Sequence, residues 1–380
     1  YQPIFFTIGI LWVSTNSILA SINFPTLRAI APYNNDSGNW EYLVAGNTGN
    51  FTKAKGFTIK RNATGNLNFI GEYPENAVDI VIDKGDENGY NLIGNPFPSH
   101  LALNTNADLT NNFLTLNTAV LEEPTVYIWN GTQYQPYNQT SLDAYLTPGQ
   151  GFFVISKAAG GTVNFTEILQ NHQTATLKKK KQSRPEIRLL CKNGKVEKFT
   201  DILYIDATTK DFDSGYDSSL FTGVSSNFEI YTQLISGDEN KKLAIQSIPK
   251  EFSIVIPVGI IAAKNTTIEI STISKNLDAN LKVYLEDKKM GTFTLLDNSE
   301  SVYSFTTDKA LNGTGRFYLH TSSETLNTLD VVFKDVLLYA ANKKVYVKNL
   351  PSTRAYSLGL ISPALKLVCG LICLGISNLW

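Results

Sequence analysis

Residues 89–99, GYNLIGNPFPS, permit a short strand and then end it. The polar pair Asn88-Gly89 turns the chain into the apolar run Tyr90 to Ile93. Pro96 and Pro98, on either side of Phe97, cannot donate ladder hydrogen bonds, so strand pairing must stop there. The same grammar returns in residues 145–155, YLTPGQGFFVI, where Pro-Gly-Gln-Gly turns the chain into a hydrophobic strand. Asparagine, which favours turns over regular structure, occurs 21 times in the first 150 residues. Aromatics make up 11% of the chain and no helical periodicity is sustained. Frequent turns between short aromatic and β-branched runs specify an all-β protein.

The 380 residues are enough for two domains, each of a size that folds without a disulfide or metal. A net charge of −1 gives no electrostatic reason to expect nucleic acid or an anionic membrane as partner. Cys191, Cys369 and Cys373 are an odd set with no disulfide framework, and His100, His172 and His320 are too scattered to complete a zinc clip. Eight Asn-X-Ser/Thr sequons follow from the Asn- and Thr-rich composition. Met290 is the only methionine, which reads as a partial or processed chain. Within residues 1–26, the run IFFTIGILWV (4–13) is too short to span a bilayer. It reads either as a signal-peptide remnant or as an edge strand.

The first β domain is expected over residues 27–168, with strands near 40–45, 56–60, 67–72, 77–82, 90–93, 125–129, 151–156 and 162–165. A spacing of about ten residues between turn signals suits a sandwich or jelly roll. Apolar residues at 109, 113 and 116 allow one short helix within 101–116. A basic linker, 169–185, carries Lys178 to Lys181 and reads as a solvated connector. The second β-sandwich domain, 186–326, opens with a hairpin: 187–191 and 199–205 flank an Asn193-Gly194 turn. Alternation over 267–271 buries Ile268 and Ile270. Over 281–286 it places Leu281, Val283 and Leu285 inside, with Lys282, Tyr284 and Glu286 in water.

The search for chemistry returns little. No nucleophile elbow, zinc-protease helix or phosphate loop occurs, so neither catalytic residues nor an organic cofactor are expected. Asp83, Asp86, Glu87 and Asp201 lie in or beside turns, where carboxylates are ordinarily solvated. Asp211, Asp213 and Asp217 surround Gly215 and could fold their oxygens onto calcium. The simpler reading of the same residues is an Asx-rich turn that caps backbone amides. Trp129, Tyr134 and Tyr137 cluster around the Asn130-Gly131 turn. Their rings would stack on a glycan or fill a core, since Tyr127 and Trp129 share one face and Val126 and Ile128 the other.

The segments 89–99, 126–138 and 145–155, followed by DFDSGYD, KKLAIQSIP, VIPVGI, VYLEDKKMGTFTLL and GRFYLH, resemble a module of secreted and surface proteins of Bacteroidetes-type bacteria. That module usually precedes a C-terminal sorting domain read by the type IX secretion system. The resemblance implies a secreted or outer-cell-surface location and the type IX machinery as partner. It implies a non-catalytic structural and targeting role. A carbohydrate-binding or adhesin-type module, with polysaccharide as partner, is the alternative. Residues 335–358 resemble the opening of a sorting domain, with strands either side of Asn342-Lys343. Gly359–Trp380 departs abruptly from that pattern, so 327–380 reads as a partial or aberrant sorting domain without a transmembrane span.

Overall fold

The computed structural model describes residues 4–7, 30–44, 51–59, 74–172 and 184–322, apart from 143, 195, 238–239, 252 and 298–299. It also describes the short strands 337–341, 344–348, 357–358 and 371–372. The protein is nearly all β, as its turn grammar requires.

In the first half, a four-stranded sheet runs Tyr134–Tyr137, Val126–Trp129, Gly151–Ile155, Tyr90–Gly94. Pro136 lies in its edge strand, where a missing N–H does least harm. The two proline-punctuated segments meet in space, with Gly151 opposite Gly94 in the register. Asn95, 1% exposed, joins them further. Its side-chain amide donates to the carbonyls of Ser99 (2.8 Å) and Leu146 (3.1 Å), and its oxygen accepts from Phe97 N–H at 2.9 Å. These bonds hold the turn that the prolines impose and bury Phe97 in the core with Phe113, Phe152 and Phe165. Gln170–Asn171, at the start of the expected linker, pair with His100–Ala102 as the edge of a small three-stranded sheet. Lys178 to Lys181 lie outside the described residues, as does the expected strand at 67–72. Ile4–Thr7 pair antiparallel with Gly56–Ile59.

The expected helix shrinks to Phe113–Asn117, capped by Asn112, whose side chain accepts from Thr115 N–H at 2.9 Å. Polar side chains upstream compete for the backbone. Asn104 takes Ala107 N–H at 3.1 Å, and Asp108 takes the amides of Thr110 and Asn111. Leu109, before the helix, and Leu116, within it, are both exposed, and only Phe113 of the expected stripe is buried.

The second half is one long sheet. Its order is Thr292–Leu295, Lys282–Asp287, Leu311–Ser322, Ile254–Ala262, Glu229–Gln233, Lys242–Ile248, Val196–Tyr204, Glu186–Asn193, Thr267–Lys275, Tyr303–Thr306, and Ser218–Ser219 pairs with Lys242–Ile248 off this path. The sheet curls into a nearly closed barrel, bringing residues near its two ends together: Phe305 and Phe317 lie 5.0 Å apart, and the Thr272 hydroxyl donates to the Leu296 carbonyl. Ile187, Leu189, Ile268 and Ile270, all fully buried, share one core with Leu285 and Leu319. Tyr284 is buried too, contrary to the alternation. Its register partner His320 lies 5.2 Å from Phe293, so the outer face of that strand has aromatic cover of its own.

Among the described strands one pairing departs from the antiparallel rule. Val196–Tyr204 and Lys242–Ile248 run parallel, which requires a long crossover. Residues 205–241 supply it.

Residues 327–380, with 290–292, form a separate compact unit. Leu337–Ala341 and Lys344–Lys348 form the expected hairpin, and Ser357–Leu358 pair with Leu371–Ile372. Most of 359–380 lies outside the described residues. Among the described residues no helix is long and apolar enough to cross a membrane, which says nothing of β-barrels.

Candidate functional site

The crossover explains how the two halves meet. After the Asp211–Asp217 turn the chain runs along the four-stranded sheet, and side chains of the first half hold its backbone in sequence. Asn138 donates to the Tyr216 carbonyl (2.8 Å) and the Ser218 hydroxyl (2.9 Å). Glu123, 3% exposed, accepts Ser219 N–H at 3.0 Å, and the Tyr127 hydroxyl donates to the Ser219 carbonyl at 3.1 Å. Tyr90 accepts Thr222 N–H at 3.1 Å, and Tyr33 donates to the Gly223 carbonyl. Burial pushes the Tyr90 phenol up to about 12 and raises Tyr127 well above its ordinary value, so both remain neutral hydroxyls. Lys241 neutralises Glu123 at 2.9 Å. Phe221 then inserts among Tyr90, Tyr134 and Phe153, with ring centroids 4.6, 4.0 and 4.9 Å away.

The three candidate calcium ligands do not converge. Asp211 Oδ1 accepts Phe212 N–H at 2.8 Å, and Asp213 Oδ2 accepts Thr209 N–H at 2.6 Å. Asp217, fully buried, accepts Asp213 N–H at 2.7 Å and Ser247 N–H at 2.5 Å. The carboxylates serve backbone amides of the turn and of the neighbouring strand. Among the described residues no group of three or more His, Cys, Asp or Glu is placed to hold a metal. Desolvation pushes the Asp217 carboxyl up to about 7, outweighing its two amide bonds.

Nor do the other carboxylates gather. Asp201 is held bidentately by Arg188 at 2.7 and 2.9 Å, whereas Asp83 accepts from Asn35 at 2.7 Å on the first half. Cys191 is buried in the barrel core, with its thiol pushed up to about 12 by desolvation, a setting that suits packing rather than nucleophilic chemistry.

The aromatic trio divides. Trp129 and Tyr134 are register partners with rings 5.0 Å apart, both half-buried. Tyr137 lies three residues beyond Tyr134, so strand parity sends it to the opposite face, against the core of the first half. Of the three candidate rings, only Trp129 and Tyr134 therefore share a face. Trp40 joins them from elsewhere, edge-on to Tyr33 at 5.4 Å and to Phe153 at 6.1 Å.

These rings line one side of a cleft of about 520 Å³ between the two halves. The other side comes from the second half: the exposed loop 225–227, buried Phe228 and an ion pair. Lys198 Nζ lies 2.9 Å from Glu229 Oε1, with side chains 8% and 12% exposed. Trp40, Phe228, Lys198 and Glu229 carried no mark in the sequence reading. One signal was present: Lys198 falls in phase with the inward residues Thr200, Ile202 and Tyr204 of its strand. A charge at a core-facing position calls for a partner.

No curated protein and no solved structure matches the chain. The family model described as "Domain of unknown function (DUF8693)" matches residues 13–320, across both halves and the cleft between them. The chain belongs to that family.

Proposed function

We propose that the chain is a non-catalytic structural and targeting region of a secreted or outer-surface bacterial protein, exported by the type IX secretion system. One observation carries the structural part: the crossover 216–223 is fastened by side chains from five separate places in the first half, which ties the halves together. A spacer that stands between a surface and the solvent needs its parts held to one another. The cleft between the halves supports the non-catalytic part. Its lining holds a single carboxylate, Glu229, already paired with Lys198, whereas acid–base cleavage of a glycoside needs two. The targeting part rests on the sequence resemblance.

Surface proteolysis in a host with and without a working type IX system tests the export. Because residues 359–380 depart from the sorting pattern, the test chain carries a complete sorting domain in place of 327–380. Residues 1–326 should then become protease-accessible on intact cells only where the system works. Retention inside cells that export other substrates would sink the proposal.

A further inference from the structure

We infer that the cleft between the halves binds a neutral sugar of one or two rings, stacked against Trp129 beside Tyr134 and hydrogen-bonded by Lys198 and Glu229. This goes beyond a structural role, and its failure would leave that reading untouched. The argument starts with size. A volume of about 520 Å³ falls within the range of pockets that enclose small ligands.

Chemistry narrows the class. A pyranose has an apolar C–H face and a rim of hydroxyls, and so needs aromatic rings next to polar groups. The cleft has this arrangement. Trp129, Tyr134 and Trp40 form one side, while Lys198, Glu229 and the loop residue Asn227 form the other. The ion pair supplies the second observation. Among the described residues Lys198 Nζ has one partner, Glu229 Oε1, although an ammonium carries three donors. Its side chain is more than nine-tenths buried and lines the cleft. A buried ammonium with unused donors is costly unless water or a ligand supplies acceptors. Adjacent sugar hydroxyls can accept from the ammonium and donate to Glu229 together, through charge-assisted bonds that are stronger than neutral ones.

Charge balance narrows it further. Lys198 and Glu229 cancel, and the loop 225–227, Ser-Ser-Asn, is uncharged. A uronic acid would bring an uncompensated carboxylate beside Glu229. A neutral hexose or pentose would not.

The test uses the full chain, titrated with neutral disaccharides of glucose, xylose, mannose and galactose, with a galacturonic acid dimer, and with a proline-rich peptide. Calorimetry and tryptophan fluorescence report binding. At least one neutral disaccharide should bind saturably, and Trp129→Ala and Lys198→Met should each weaken it at least tenfold. Asn227→Ala, in an exposed loop where folding is not at stake, should weaken it about threefold. Tyr137→Ala, on the opposite face, should leave affinity unchanged. Three results overturn the inference: no neutral disaccharide binds the folded chain, binding survives Lys198→Met and Asn227→Ala intact, or only the acidic dimer or the peptide binds.

Discussion

The side-chain amide of Gln133 pairs with the backbone of Phe199 in both directions, donating to its carbonyl at 3.3 Å and accepting its N–H at 2.9 Å. The position explains the need. Lys242–Ile248 begins its parallel pairing with Val196–Tyr204 only at Asp201, so Phe199 faces an edge that no strand covers. Gln133, at the tip of the first half's aromatic hairpin, completes the ladder with a peptide-like group. Gln133→Ala would leave both Phe199 groups beside a buried surface with no partner. The expected loss is about 1–3 kcal/mol, read as a lower urea midpoint at unchanged slope. Gln133→Glu keeps the size but loses the donor, and should fall between wild type and alanine. Equal stability of all three proteins would remove the pairing from the account of how the halves are joined.

Asp217 makes the fold sensitive to pH. Its folded value, pushed to about 7 by burial, lies above the ordinary 3.8. In the unfolded chain the carboxyl ionises first, so between those values the folded state holds a proton that the unfolded state has lost. The stability Asp217 contributes is therefore complete below about 4 and is lost as pH rises through about 7. At about 1.4 kcal/mol per pKa unit, the full swing is on the order of 4 kcal/mol. Asp217→Asn does not titrate. The advantage of wild type over this variant should shrink steadily from pH 4 to pH 7 in denaturant titrations, and a widening gap would contradict the assignment.

Calcium should not matter to this turn. The oxygens that calcium would need already accept amides of Phe212, Thr209, Asp213 and Ser247. A chelator is expected to leave the melting temperature unchanged. A cation site occupied at 100 times its dissociation constant would add about 2.7 kcal/mol, an effect large enough to see plainly.

Local grammar was legible in the sequence, and long-range meeting was not. Ile268 and Ile270 alternate with polar neighbours and are both buried, because one strand with one covered face writes its own pattern. Trp129 and Tyr134 could be paired from a short turn. Tyr137 follows the same turn, but strand parity puts positions three apart on opposite faces, so nearness in sequence does not place it beside Tyr134. The short helix expected within 101–116 is present but confined to Phe113–Asn117: apolar spacing marks it, and the Asn and Asp side chains that take the upstream amides limit its length. The cleft lay beyond such reasoning. Trp40, Trp129, Lys198 and Phe228 come from four separate segments, and only the parallel crossover brings the last of them beside the first.

Phe221 decides whether the halves unfold together. It is a second-half residue buried among first-half rings, with Tyr127 5.4 Å away in addition to Tyr90, Tyr134 and Phe153. Each half also has a hydrophobic core of its own, one around Phe113 and Phe152, the other around Ile187 and Phe317. The crossover therefore couples the halves alongside the Gln133–Phe199 pairing, and Phe221 is the crossover ring buried among first-half rings. Wild type should unfold in one calorimetric transition whose van't Hoff and calorimetric enthalpies agree. Phe221→Ala should cost about 3–5 kcal/mol, and because that loss falls on the coupling rather than on either core, the transition should broaden or split in two. Phe113→Ala, inside the first core, is the control. It should lower stability by a similar amount while the crossover stays in place. If Phe221→Ala still melts as sharply as wild type, the halves are coupled through contacts other than this ring.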